Sequence, residues 1–320
     1  MILKGEATVV KNAGSHYLLS ELPEWKLFHA VLRGKVRLDR SSSTNPVAVG
    51  DRVLYSIDCG NEENGLDYVT EQNPAVITSI LPRSNYLIRR STNLSRQSHI
   101  IAANLDQAVI AASIYFPEIK LPFLDRILVT CEVYRIPVVI ALNKVDLYEG
   151  ADAMEDFCRI YRNAGYKVVK TSVRTGEGIE ELRTLCKGRL NLFAGESGVG
   201  KSSLIKALDG NLDPKIGRIS MAHLQGKHTT SLYEMYPLAF GGYVIDSPGL
   251  RGFGLVDLEK EEISKYFPEM LRIMDNCRFC PCTHTHEPGC AVKQAVDSSE
   301  ISAERYNSYL GMLEEDSKFR

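Results

Sequence analysis

The chain has 320 residues, which predicts two or three domains at about 150 residues each, and its 44% hydrophobic and 24% charged residues exclude a disordered protein. Its 38 Lys and Arg residues are balanced by 40 Asp and Glu residues, so the net charge of -2 excludes a uniformly basic nucleic-acid coat and leaves room only for a local basic patch. No apolar run approaches the roughly 18 residues of a membrane span and the first residues lack a secretory signal, so we expect a cytoplasmic protein without membrane contact.

Short strands separated by turn residues dominate residues 1–82 and predict a small β-barrel. The expected strands are residues 17–19, 25–28, 30–38 and 52–57. Within residues 30–38, the two-residue period of a strand places Arg33, Lys35 and Arg37 on one face. That positive face suits an RNA phosphate backbone, and it equally suits a solvated outer face of a barrel. This strand alone does not decide between the two interpretations.

A basic segment follows the predicted barrel. Residues 83–98 contain Arg83, Arg89, Arg90 and Arg96 and no acidic residue. We expect a linker here, which offers a second place for RNA to bind.

Strands and helices alternate from about residue 104 onward. The expected strands are residues 108–112, 137–142 and 167–169, and apolar residues at helical spacing lie between them at Leu124, Ile127, Leu128 and Cys131, at Met154, Phe157, Ile160 and Tyr161, and at Ile179, Leu182 and Leu185. This alternation predicts a parallel sheet with helices on both faces. Ligands of such sheets bind beyond the carboxyl ends of the strands, so the functional motifs should lie in those loops.

A base-recognition motif follows the strand that ends at Leu142. It consists of Asn143, Lys144, Val145 and Asp146, and Thr171 and Ser172 end the next strand. A carboxylate accepts two hydrogen bonds from the N1–H and exocyclic amine of guanine, a donor pair that adenine lacks. Asp146 therefore favours a guanine nucleotide over the alternative of an adenine nucleotide, with Thr171 and Ser172 bracketing the base.

A phosphate-binding loop lies further along the chain, between a predicted strand over residues 190–194 and a predicted helix. The loop and the start of the helix comprise Gly195, Glu196, Ser197, Gly198, Val199, Gly200, Lys201, Ser202 and Ser203, a complete Gly-x4-Gly-Lys-Ser pattern. Glycines allow backbone N–H groups to turn toward phosphates at a helix N-terminus. Lys201 supplies charge to the β- and γ-phosphates, and the Ser202 hydroxyl is placed to bind Mg²⁺. The loop predicts a nucleoside triphosphate site.

Potential metal ligands crowd into one segment near the C-terminus. These ligands are Cys277, Cys280, Cys282, His284, His286 and Cys290. In a cytoplasmic chain such a cluster indicates a metal rather than disulfides, and a tetrahedral structural ion takes only four of the six. Cys277 and Cys280 form a Cys-x2-Cys pair, so the second ligand is open between Cys280 and Cys282. The helical residues 291–296 and 301–313 that follow could pack on this cluster or face RNA.

The remaining cysteines, Cys59, Cys131, Cys158 and Cys186, are scattered along the chain. We expect such thiols to act as small buried apolar groups without a chemical function.

The order of the nucleotide motifs is unusual. Translation-factor-related GTPases, which the motifs resemble, run from the phosphate loop through a switch threonine and Asp-x-x-Gly to Asn-Lys-x-Asp. Here the base motif comes first, then the phosphate loop, then residues 226–230 with Thr229 and Thr230, and then Asp246 to Gly249 in Asp-Ser-Pro-Gly. The order of the motifs is circularly permuted. A parallel sheet tolerates this, because the motifs are brought together by which strands are neighbours in the sheet and not by their order along the chain.

Permuted motifs, a preceding barrel and a terminal Cys/His cluster together resemble the RsgA (YjeQ) family, whose members are GTPases that depend on the small ribosomal subunit. The resemblance implies an OB-fold domain over residues 1–82 that binds rRNA, a permuted GTPase domain over residues 83–254, and a helical zinc domain over residues 255–320. It further implies Cys277, Cys282, His284 and Cys290 as the ligands of one structural Zn²⁺. The implied function is late maturation of the small ribosomal subunit, and we expect a monomer that binds GTP and GDP.

By the same resemblance, Asp246 would join Ser202 and Thr230 around Mg²⁺, and Gly249 would donate its N–H to the γ-phosphate. Many GTPases place a glutamine after that glycine to orient water, but Leu250 stands here and cannot do so. His228, beside Thr229 and Thr230, is our candidate to replace it, with a solvent-exposed loop histidine as the equal alternative. The missing glutamine also permits a second function, a nucleotide-gated RNA-binding module in which hydrolysis is incidental.

Overall fold

The computed structural model describes residues 2–32, 46–58, 65–90, 98–148, 150, 152–212, 233–246 and 258–315. Several predicted functional residues lie outside these ranges: Arg33, Lys35, Arg37, Arg96, His228, Thr229, Thr230, Gly249 and Leu250. The base motif, the phosphate loop, Asp246 and the Cys/His cluster all lie within them.

The N-terminal part is a closed five-stranded barrel with the order β1-β2-β3-β5-β4, the architecture of an OB-fold. Its strands are β1 (Ile2–Ala13), β2 (His16–Ser20), β3 (Leu27–Leu32), β4 (Arg52–Asp58) and β5 (Ala75–Ile80). Alternate residues of β4 point inward, so Val53, Tyr55 and Ile57 are buried in the barrel core. The barrel confirms the prediction. Strand β3 overlaps the two strands expected over residues 25–28 and 30–38, of which residues 33–38 lie outside the described ranges, and β1 and β5 were not predicted. A short 3₁₀ helix, Gly65–Tyr68, lies between β4 and β5.

The expected basic linker is wrong in part, because a hairpin occupies this segment. Strand β6 (Tyr86–Arg90) pairs antiparallel with β7 (Ser98–Ala103). Arg83 is not free for RNA either, since its Nε and Nη2 donate to the two carboxylate oxygens of Asp51 at 2.6 and 2.7 Å. The same guanidinium bonds the carbonyl of Pro46, which ties the hairpin to the barrel.

The central part is a six-stranded sheet with the order β10-β9-β8-β11-β13-β12, in which only the edge strand β12 is antiparallel to its neighbour. Its strands are β8 (Gln107–Ala112), β9 (Val138–Leu142), β10 (Lys167–Lys170), β11 (Leu190–Gly195), β12 (Met235–Pro237) and β13 (Tyr243–Asp246). The helices are α1 (Leu121–Val133), α2 (Asp152–Ala164), α3 (Ile179–Cys186) and α4 (Lys201–Leu208), with a 3₁₀ helix at Val145–Leu147.

Two apolar layers cover the two faces of this sheet, as the strand-helix alternation predicts. One layer contains α1 and α2, and it reaches the barrel through Val10 and Val49. The other contains α3 and α4. Cys131, Cys158 and Cys186 are buried in these layers, as expected of small apolar groups, and Cys59 lies outside the described residues.

The C-terminal part is helical and packs on helices α1 and α2 of the central part. It consists of 3₁₀ helices at Lys260–Tyr266 and Met274–Asn276 together with α5 (Pro268–Leu271), α6 (Ala291–Asp297) and α7 (Ala303–Glu315). Ile263, Phe267, Met270 and Tyr309 form a core here with Val129 of α1. Apolar packing therefore stabilises the C-terminal helices in addition to the Cys/His cluster. None of the helices in the described ranges has the length and apolar character of a membrane span.

Candidate nucleotide site and metal centre

The sheet order brings the predicted nucleotide motifs to one edge. The base motif follows β9, Thr171 and Ser172 follow β10, and the phosphate loop follows β11. Strand β8 lies between β9 and β11, while β13, which ends at Asp246, flanks β11 on its other side. Because these five strands are parallel, all their carboxyl ends meet at the same edge. The permuted order along the chain thus produces one contiguous site.

Direct hydrogen bonds join the base motif to the phosphate loop. Asn143 Nδ2 donates to the carbonyl oxygen of Val199 at 2.9 Å, and Lys144 Nζ donates to that of Gly198 at 2.8 Å. Lys144 Nζ also donates to the carbonyl of Phe116, in the loop after β8. The loop leaves no room for a side chain at Gly200, whose φ is +100°, because a Cβ atom there would lie 2.4 Å from Asn143 Nδ2. The predicted base motif and the phosphate loop therefore belong to a single site.

Asp146 is held in place by two neighbours. Ser172 Oγ donates to its Oδ1, and Arg174 Nε donates to its Oδ2 at 2.6 Å. The hydrogen bond from Ser172, followed by that from Arg174, lowers the pKa of Asp146 below its ordinary value. The carboxylate is therefore ionised and oriented, as an acceptor for guanine must be. Arg174 was not predicted from the sequence, and its position just beyond Ser172 was the only available signal.

Thr171 supports the other end of the motif. Its Oγ1 donates to Asn143 Oδ1 at 3.2 Å, and its N–H donates to the carbonyl of Leu142 at 2.7 Å. Tyr148 OH donates to the carbonyl of Asn143 at 2.9 Å. These bonds orient the Asn143 amide toward the phosphate loop.

Lys201 lies over the phosphate loop at the start of α4. Its ammonium donates to the carbonyl oxygens of Gly195 and Glu196, each at 2.9 Å, and the side chain is buried. Ser202 and Ser203 follow in the first turn of α4, and Asp246 pairs in register with Phe193 of β11. The residues that carry a cation, a hydroxyl and a carboxylate, Lys201, Ser202 and Asp246, thus lie near the carboxyl ends of β11 and β13. The switch residues Thr229, Thr230 and Gly249, and His228, lie outside the described ranges.

The C-terminal cluster has the geometry of a metal centre. The ligand atoms of Cys277, Cys282, His284 and Cys290 lie within 4.8 Å of one another, and this group does not include Cys280, which is exposed. His284 directs Nδ1 toward the thiols, 3.6 Å from Cys277 Sγ and 3.4 Å from Cys290 Sγ. Burial raises the pKa of the Cys282 thiol to about 12, so a bound cation would be needed to hold it as a thiolate. Three sulfurs and one imidazole nitrogen in this arrangement fit a four-coordinate Zn²⁺.

Contacts from α7 hold the cluster in place. Tyr306 OH donates to the carbonyl of His284 at 2.6 Å, and Tyr309 OH donates to that of Thr283 at 2.7 Å. The Glu287 carboxylate accepts the N–H groups of Thr283 and Thr285. Of the two possibilities left open for the last helix, packing on the metal cluster is the one observed.

Comparison with known proteins identifies the fold and its relatives. The model of the RsgA GTPase family matches residues 80–256. A Bacteroides fragilis protein named small ribosomal subunit biogenesis GTPase RsgA is 45% identical over 316 residues, which cover 98% of each chain.

Two solved structures resemble the whole molecule. The crystal structure of YjeQ from Thermotoga maritima has a TM-score of 0.77 and 32% identity and covers 99% of this chain and 100% of its own. The structure of YloQ, described as a circularly permuted GTPase, has a TM-score of 0.72 and 27% identity over 99% of this chain and 96% of its own. With the barrel, the permuted site and the Cys/His cluster already placed, these matches show that the chain belongs to the RsgA family of GTPases.

Proposed function

We propose that this protein hydrolyses GTP to GDP and inorganic phosphate during biogenesis of the small ribosomal subunit, and that the subunit stimulates the reaction. The hydrogen bond from Asn143 to the Val199 carbonyl is the observation that supports the nucleotide assignment, because it joins the base motif directly to the phosphate loop. The names of the relatives support the ribosomal role.

Each motif residue has a defined task in this proposal. Asp146 accepts hydrogen bonds from the N1–H and the amine of guanine. The guanine base is positioned by Asn143, Lys144, Thr171 and Ser172. The backbone N–H groups of residues 195–203 surround the phosphates, and Lys201 exchanges its carbonyl partners for phosphate oxygens as GTP binds. Thr229, Thr230 and Gly249 complete the site around the γ-phosphate, with His228 as the candidate to orient the attacking water.

Magnesium fits the oxygen donors at the end of β11 and β13. Ser202, Asp246 and Thr230 would hold it, since hydroxyl and carboxylate oxygens are the ligands that Mg²⁺ prefers. When bound, it would neutralise charge on the β- and γ-phosphates.

Zinc fits the second centre, where Cys277, Cys282, His284 and Cys290 would hold it. Because all four positions are filled by protein atoms, its role is structural. The domains we propose are residues 1–82 for RNA binding, residues 83–254 for GTP hydrolysis and residues 255–320 for the zinc centre.

The partner in this proposal is the rRNA of the small subunit, and Arg33, Lys35 and Arg37 are the proposed contacts on the barrel. Acting on ribosomal particles implies a cytoplasmic protein, and we propose that it works as a monomer.

Measuring GTP turnover with and without purified small ribosomal subunits tests this function. We expect stimulation of more than about tenfold, because Leu250 cannot orient water and a partner must order the site. Stimulation below that level would favour the alternative, a nucleotide-gated RNA-binding module in which hydrolysis is incidental.

Base specificity is tested by Asp146→Asn. The side-chain amide of Asn presents a donor where guanine needs an acceptor. Each lost hydrogen bond should therefore weaken the binding free energy of GDP by about 1–3 kcal/mol, and xanthosine diphosphate should become the preferred ligand. Competition binding with both nucleotides measures the change. An unchanged preference for guanine, or preference of the native chain for ADP, would contradict the assignment.

A further inference from the structure

The barrel contacts the central sheet at the hairpin formed by β12 and β13. Lys11 of β1 pairs through its main chain with Glu234, immediately before β12, and Lys11 Nζ lies 2.9 Å from Glu234 Oε2. Trp25, in the loop between β2 and β3, stacks on Tyr243 at the start of β13 with ring centroids 5.6 Å apart and planes inclined by 26°. We refer to Lys11, Trp25, Glu234 and Tyr243 as the barrel–hairpin seam.

This hairpin occupies a special place in the sequence. Thr229 and Thr230 come a few positions before Glu234, and β13 runs from Tyr243 to Asp246. The hairpin therefore connects the two segments assigned to the γ-phosphate and Mg²⁺. The barrel contacts it at both strands, through a charged pair on the β12 side and an aromatic pair on the β13 side.

The charged pair is better placed for coupling than a fully solvated one. About a quarter of each side chain is exposed, 28% for Lys11 and 25% for Glu234. Partial burial strengthens the attraction relative to fully exposed pairs, whose contribution is usually small. The stacked rings add a contact with a preferred geometry, so a displacement of either partner is resisted by the other.

We propose that the barrel–hairpin seam couples RNA docking on the barrel to the position of Asp246 and thereby regulates GTP hydrolysis. Lys11 and Trp25 act as positioning residues through the hairpin and do not touch the nucleotide. This inference rests on the proposed function for its partner. Because the proposed route runs through the hairpin that ends at Asp246, a nucleotide that shifts Asp246 should also alter the environment of the seam when no ribosomal subunit is present.

The reciprocal effect can be measured with the native protein alone. Trp25 is the only tryptophan of the chain, so its fluorescence reports the seam without labelling. We expect different emission maxima with saturating GDP and with a non-hydrolysable GTP analogue, and loss of that difference in Tyr243→Ala. Identical spectra with both nucleotides in the native protein would overturn the proposal, whatever the subunits do to turnover.

Turnover assays test the forward direction. We expect Lys11→Glu to reduce stimulation by small subunits by about fivefold or more, the lower end of measured allosteric couplings, without changing basal turnover. The double variant Lys11→Glu with Glu234→Lys should restore stimulation, because it reverses the pair and keeps the attraction. Trp25→Phe should retain more stimulation than Trp25→Ala, since the smaller ring still stacks.

A matched control comes from the barrel itself. Lys26 pairs with Asp67 within the barrel and is exposed, so Lys26→Glu changes the same charge without touching the hairpin. It should keep full stimulation. If Lys11→Glu is stimulated as strongly as Lys26→Glu, the seam does not carry the coupling. If small subunits fail to stimulate the native protein, the proposed function is wrong. The fluorescence comparison of the two nucleotide states would then be the only test of whether the seam responds to the nucleotide.

Discussion

Gly200 lies where the phosphate loop contacts the base motif. Its φ of +100° strains any side chain, and a Cβ atom would lie 2.4 Å from Asn143 Nδ2. We expect Gly200→Ala to push Asn143 away from Val199 and to weaken GDP binding by about tenfold or more, equal to about 1.4 kcal/mol. Titration calorimetry with GDP measures the loss.

Gly188→Ala provides the control for backbone strain. Gly188 has a φ of +70°, but no atom lies within 4 Å of a Cβ placed there. Alanine at this position should cost about 1–2 kcal/mol of stability and leave GDP affinity unchanged. Equal affinities for the two variants would mean that the contact between loop and base motif does not shape the site.

The residues of the nucleotide site were predictable where nucleotide chemistry dictates the residue type. Asp146 follows from the donor pattern of guanine, and Lys201 from the charge of phosphates. Arg174 was missed because its role depends on a side chain folding back to Asp146, 28 positions earlier in the chain. Such long-range pairing leaves no local pattern in the sequence.

At the level of elements, the proposed zinc site leads to a specific prediction. The ligand group contains Cys282 and leaves the nearby Cys280 exposed. We expect Cys282→Ser to lose the bound zinc and to lower the unfolding temperature, because structural zinc contributes about 10–16 kcal/mol of apparent binding energy. Metal analysis and thermal unfolding of the purified protein measure both effects.

Cys280→Ser is the matched control, since it makes the same chemical change two positions away. It should keep one zinc per chain and an unchanged unfolding temperature. The reverse pattern, with zinc lost in Cys280→Ser and kept in Cys282→Ser, would show that the Cys-x2-Cys pair binds the metal.

Elements were predicted well where both faces of a strand are buried and less well where one face meets solvent. All six residues of β8 are buried, and its continuous apolar run was recognised. In β1, buried and exposed positions are mixed, and Lys4, Glu6 and Lys11 interrupt the apolar pattern. Gly5 obscures it further, although it is required because a Cβ atom there would meet the Tyr55 ring hydroxyl at 2.5 Å.

At the scale of the whole molecule, the buried guanidinium of Arg305 joins the C-terminal helices to helix α1, which covers the central sheet. Arg305 of α7 is 1% exposed, and it donates to Asp125 of α1 at 2.7 Å and to Glu269 of α5 at 2.6 and 3.0 Å. Its guanidinium also lies 4.6 Å from the centre of the Phe267 ring. Removing one partner of such a cluster leaves uncompensated buried charge and costs about 3–5 kcal/mol. We therefore expect the sheet and α7 to unfold together.

Hydrogen exchange with and without GDP tests this cooperativity. GDP at 100 times its dissociation constant stabilises the folded chain by about 2.7 kcal/mol. Amides of α7 should gain the same protection as those of β11, although none of the residues predicted to bind the nucleotide lies in α7. In Arg305→Ala, α7 should open locally, and its amides should no longer gain protection when GDP binds. In Lys265→Ala, which removes an exposed ion pair with Glu262, the α7 amides should still gain that protection. If GDP leaves the protection of α7 unchanged in the native chain, the buried cluster does not join the two parts into one cooperative unit.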